Sequence, residues 1–286
     1  MGKTTVRRRH SAFAAGLAAV AMTLSLAAPA QARTVQDYVA LGDSFAAGIG
    51  GGAYAMEDCV RSANAYSELA DDLKSVRDVT NVACGGATTQ EVVKTQLALL
   101  DKKTDLVTIT AGGNNIGFGA IITSCGVALA GATPDDACGT AINGAMAQFQ
   151  GGQLYSDLLS MIESVHVAAP NAKIVVTGYP YLLDPIEAGR TDAAALFIYQ
   201  ATQLSDLLNG NILAAAAAAD AAAEHDPKVQ FVDVRSAFLG HGALSPTPWI
   251  NLIPTAPDEP VNPNNFHPNA EGYEAYFTAL SDAGVY

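Results

Sequence analysis

Tyr38-Val39-Ala40-Leu41-Gly42-Asp43-Ser44 joins a short apolar run to a polar turn. Uncharged apolar residues in a row suit a strand buried on both faces, and Gly-Asp-Ser suits the turn that leaves it. The same grammar repeats downstream. Val79–Ala83 runs into Cys84-Gly85-Gly86, and Leu106–Thr110 into Gly112-Gly113-Asn114-Asn115. Lys173–Thr177 runs into Gly178-Tyr179-Pro180, and Val229–Val234 into Arg235-Ser236. Helical patterning fills the intervals over 154–167 and 193–225, and again over 270–280. The Ala214–Ala223 tract is the strongest helix former in the chain. Strands alternating with helices predict a three-layer α/β/α sandwich around a central, mostly parallel five-stranded sheet. Ligand chemistry in such sheets collects beyond the carboxyl ends of the strands, where these polar turns fall.

Upstream of the first strand the chain has a different character. Lys3, Arg7, Arg8 and Arg9 precede an apolar run over 11–27, and Ala30-Gln31-Ala32 follows. Basic start, greasy centre and small-x-small exit predict a secretory signal peptide over 1–32, removed to leave one domain over 33–286. A membrane anchor would need a longer run without Pro29 and the cleavage pattern after it. The whole chain carries −13 at neutral pH, and losing the basic leader makes the remainder more acidic. Such a surface repels nucleic acid and anionic headgroups, so neither is an expected partner. A secreted monomer without stable membrane insertion is the expectation.

Cys59, Cys84, Cys125 and Cys138 all lie beyond the leader. Four cysteines in an exported chain predict two disulfides, with three connectivities open. Joining neighbours would close loops that stabilise the fold by about 3 kcal/mol each. No metal-ligand spacing such as C-x-x-C occurs, so neither a metal nor another cofactor is expected.

Ser44 is the candidate nucleophile, although a serine after Gly-Asp also suits a helix cap. A hydroxyl needs a base at neutral pH, and His267, in Asn264-Asn265-Phe266-His267-Pro268-Asn269, has the suitable ordinary pKa. Gly86 can bring a backbone N–H close to a substrate, and Asn114 can donate from its amide. With the Ser44 N–H they form a candidate oxyanion hole, each donor worth about 3 kcal/mol in a transition state. His166 and His225 fall in helical segments and read as surface residues. His241 reads first as packing. Proline density over 244–263 excludes regular helix or interior strand there, and its apolar cluster 249–253 reads either as the pins of a surface loop or as a wall for an acyl chain.

These blocks, in this order, resemble those of the SGNH hydrolases, the GDSL lipases and esterases. That superfamily has Gly-Asp-Ser near the N-terminus, then a Gly, Gly-x-Asn-Asp and Asp-x-x-His. Here they stand as Gly42-Asp43-Ser44, Gly86, Gly112-Gly113-Asn114-Asn115 and Asn264-Asn265-Phe266-His267. Ala83-Cys84-Gly85-Gly86-Ala87 and Phe238-Leu239-Gly240-His241 narrow the resemblance to secreted bacterial lipases and esterases. It implies a flavodoxin-like fold, hydrolysis of a lipid or other acyl ester, no cofactor, and the pairs Cys59–Cys84 and Cys125–Cys138. Carbohydrate acetylesterases and phospholipases share the fold. A non-catalytic exported binding protein is the alternative raised by two departures. Asn115 replaces an aspartate and is expected to support its loop through amide hydrogen bonds. Asn264 replaces the aspartate three residues before the histidine, so a Ser44–His267 dyad is expected, with a carbonyl of Asn264 orienting the ring. Asp258 is a rival third member.

Overall fold

The computed structural model describes residues 1–2, 35–55, 58–187, 189–223, 228–254 and 261–286. Residues 3–32 of the expected leader, His225 and Asp258 fall outside the described residues. Thr34–Tyr286 forms one compact unit. Its five strands are β1 (Gln36–Gly42), β2 (Val76–Asn81), β3 (Leu106–Thr110), β4 (Lys173–Thr177) and β5 (Val229–Val232). They form one parallel sheet in the order β2-β1-β3-β4-β5. The sequence connection leaves β1 toward β2 on one side and resumes at β3 on the other. A crevice therefore opens at the carboxyl ends of β1 and β3.

β3 is buried at every position, as a strand covered on both faces must be. Helices α2 (Thr89–Thr95), α5 (Gln153–Ala168) and α6 (Ala193–Ala222) pack side by side. Toward α7 (Ala270–Asp282) the sheet presents hydroxyls instead of pure hydrocarbon. Thr110 Oγ1 lies 2.6 Å from Thr177 Oγ1, Tyr66 OH bonds Thr110, and Tyr276 OH of α7 lies 2.8 Å from Thr177 Oγ1 and donates to Gly178 O at 2.6 Å. Each buried hydroxyl thus has a partner, which removes the cost of burying it. Two further helices, α3 (Phe118–Cys125) and α4 (Asp136–Gln150), follow β3.

Strand and helix types agree with the sequence reading, while several ends shift. β2 begins earlier than Val79 because Val76 and Asp78 pair with Gln36 and Asp37 of β1. It ends before Ala83 because Asn81 turns the chain: its Oδ1 accepts from Ala83 N–H and its amide donates to Ala46 O, both at 3.0 Å. β5 stops at Val232 because Asp233 caps the following turn, accepting from Arg235 N–H at 3.0 Å. The disulfides join Cys59 to Cys84 and Cys125 to Cys138.

Candidate active site

β1 ends at Gly42 with φ 132°, where a Cβ would stand 2.1 Å from the Thr110 carbonyl oxygen. Only glycine fits so close to the neighbouring strand. Buried Gln96 holds this turn at both ends, accepting from Gly42 N–H and donating to Gly42 O at 2.8 Å each. Asp43 caps the short helix α1 (Ser44–Ala47), its Oδ1 accepting from Phe45 N–H at 3.0 Å. Ser44 is the first residue of α1, a position whose N–H has no acceptor within the helix.

Ser44 Oγ lies 2.7 Å from His267 Nε2. On the other side of the ring, Nδ1 lies 3.0 Å from the Asn265 carbonyl oxygen. A carbonyl only accepts, so Nδ1 carries the proton and Nε2 faces Ser44 as an acceptor. Burial lowers the imidazole pKa from 6.5 to about 4, against the raising effect of the backbone carbonyls of Asn265 and its neighbours. The ring is therefore a neutral base through the physiological range.

The acceptor is one residue later than the sequence led us to expect. The Asn264 carbonyl accepts from the His267 backbone N–H at 3.2 Å, closing a turn. The Asn264 side chain accepts instead from Tyr54 OH at 2.8 Å, and that hydroxyl accepts from Gly50 N–H at 2.7 Å. The Asn264 side chain is thus committed elsewhere, while its backbone carbonyl, like that of Asn265, still favours the protonated ring. Phe266, at φ 59°, takes the left-handed conformation that turns the chain before His267.

Of the two readings of 249–253, the pinned loop is the one that residues 249–251 follow. Asn251 N–H donates to His267 O, and Phe266 N–H to Asn251 O, at 2.9 Å each. Ile250 is buried, and Trp249 stacks on His241 with ring centroids 3.6 Å apart. These residues buttress the histidine loop. His241 packs there as expected, with Nδ1 2.7 Å from Thr247 O.

Asn114 opens onto the same cavity as Ser44. Its amide donates to Ala87 O at 3.0 Å, which leaves its second N–H for another acceptor. Gly86, at φ 80°, precedes that alanine, so one hydrogen bond ties together the loops after β2 and β3. Asn115 accepts from Thr89 N–H at 3.0 Å and donates to Thr89 Oγ1 at 2.8 Å, the amide bonds its loop was expected to use.

Tyr179 went unnoticed in the sequence. Its hydroxyl donates to Asp43 Oδ2 and accepts from Gly113 N–H at 3.0 Å, joining the turns after β1, β3 and β4. Burial pushes the Asp43 carboxyl up from 3.8 to about 7, opposed by the hydrogen bonds it accepts from Tyr179 OH and Phe45 N–H. An aromatic residue directly after a strand was the available signal. Beside Ser44 lies an apolar cavity of about 70 Å³, walled by Phe118, Ile121 and Ile122 of α3, by Leu182 and Leu183, and by Phe197 of α6.

Sheet order and turn geometry define an α/β protein with a serine–histidine pair at the end of its first strand. The GDSL-like Lipase/Acylhydrolase family model matches residues 40–275. A lipase of Streptomyces rimosus is 34% identical over 253 residues, 86% of this chain and 86% of that protein. Among solved structures, an extracellular lipase of Streptomyces rimosus aligns with TM-score 0.73 and 31% identity, over 87% of this chain and 100% of that one. A phospholipase A1 of Streptomyces albidoflavus aligns with TM-score 0.73 and 31% identity, over 87% and 99%. The chain belongs to the GDSL-like lipase/acylhydrolase family and is an ester hydrolase.

Proposed function

We propose that this chain is a secreted lipase or esterase that cleaves acyl esters of lipid type through a Ser44–His267 dyad. The carrying observation is the 2.7 Å contact between Ser44 Oγ and His267 Nε2, on a ring whose Nδ1–H is taken up by a backbone carbonyl. His267 accepts the serine proton as Oγ bonds to the ester carbonyl carbon, and the imidazolium returns that proton to the leaving alkoxide. Ser44 N–H, Gly86 N–H and the Asn114 amide receive the charge on the carbonyl oxygen. Water, deprotonated by His267, then attacks the acyl-enzyme, and the proton passes back to Ser44 as the acid leaves.

The cavity beside Ser44 supports an acyl chain of more than two carbons, since an acetyl group would leave its apolar wall uncovered. The likeness to a lipase and a phospholipase A1 supports a lipid ester. The leader pattern over 1–32 supports export. No helix among the described residues is long and apolar enough to cross a membrane.

A series of p-nitrophenyl esters from acetate to decanoate tests the reading. Hydrolysis should rise beyond acetate, and Ser44→Ala should lose roughly a factor of 10⁴ or more. A sharp fall beyond acetate would favour an acetylesterase, and activity retained in Ser44→Ala would end the dyad reading.

A further inference from the structure

The cavity beside Ser44 is small for a long acyl group. About 70 Å³ is roughly half of the ~150 Å³ that holds benzene in a protein core. Short chains fill it, and longer ones need further room. A second hollow, of about 530 Å³, lies between α4 and α6, lined by Ile142, Met146, Gln200, Gln203, Asp206 and Leu207, with the Asp206 carboxylate bonded to Tyr181 and Arg235. Leu204 belongs to the walls of both.

Helical geometry explains why. Phe197, Ala201, Leu204 and Leu208 follow one another at intervals of four and three residues, and so form one stripe of α6 facing the cavity. Gln200, Gln203 and Leu207 form the adjoining stripe, facing the groove. Leu204 stands on the seam, 7% exposed, while Leu207 is 37% exposed. The opposite walls come from two consecutive helices. α3 lines the cavity, α4 lines the groove, and the Cys125–Cys138 disulfide clips these helices together.

We propose that acyl chains too long for the cavity pass Leu204 and lay their distal carbons in the α4–α6 groove, so that Leu204 sets chain-length preference. The proposal rests on the acyl-ester reading of the Ser44 site. The occupant is the substrate's own hydrocarbon tail, because the groove adjoins the acyl cavity across one side chain and presents Ile142, Met146 and Leu207 to it.

Leu207→Asp and Met146→Asp each put a carboxylate in the groove, away from the cavity lining. For each variant, kcat/KM is measured with p-nitrophenyl decanoate and p-nitrophenyl butyrate as monomers in solution. The ratio of the two within one preparation cancels any loss of folded protein. That decanoate-to-butyrate ratio should fall about tenfold or more in both variants, and likewise in Leu204→Trp, which blocks the seam. A wild-type ratio in any of the three overturns the groove proposal. Failure of the wild type to hydrolyse either ester through Ser44 overturns the acyl-ester reading instead.

Discussion

At His267 the acceptor for the ring's Nδ1–H is the carbonyl of Asn265, 3.0 Å away. Every residue has such a carbonyl, so no side chain in the sequence could advertise this one. Ser44 and His267 were legible because a hydroxyl and an imidazole belong to few residue types and sit in short motifs. Asn264 drew attention for the same reason: it occupies the motif's carboxylate position, yet its side chain bonds Tyr54. Asn264→Ala should therefore loosen the histidine loop and lower kcat less than about tenfold, while His267→Ala should lower it by roughly 10⁴ or more. Steady-state rates on p-nitrophenyl butyrate compare the two. Equal losses would mean that the Asn264 side chain acts on the ring.

Among the elements, the five strands were readable from apolar runs followed by Gly-rich turns, because both signals are local. The walls of the acyl cavity were not. They come from α3, from the turn after β4 and from α6, which meet only through tertiary packing. The apolar cluster 249–253 attracted attention instead, since apolarity alone does not separate a buried buttress from a pocket wall. Tyr179 escaped for a related reason, its partner Asp43 lying 136 residues away. The Cys125–Cys138 link fixes α3 to α4 across a separation of 13 residues. Replacing both cysteines by serine should cost about 3 kcal/mol of stability. Thermal melts should show a Tm lower by roughly 5–10 °C, and an unchanged Tm would mean the helices hold together without the link.

At the scale of the whole molecule, two buried groups give stability opposite dependences on pH. Asp43 has a folded pKa of about 7, above its ordinary 3.8, so its contribution is full below that lower value and is lost as pH rises through 7. His267 has a folded pKa of about 4, below 6.5. Its contribution is present above 6.5 and is lost as pH falls toward 4, where the unfolded chain binds the proton first. Removing the imidazole should leave the Asp43 dependence alone. The Tm of His267→Ala relative to wild type should therefore rise between pH 7 and pH 4.5. A constant difference would contradict the neutral, buried imidazole on which the dyad depends.

Labelling by a fluorophosphonate probe tests that dyad most directly, because only an activated serine reacts at a useful rate. The wild type should take up one probe per chain, on the peptide containing Ser44, and Ser44→Ala should take up none. No labelling of the wild type, or equal labelling of both, would contradict the account.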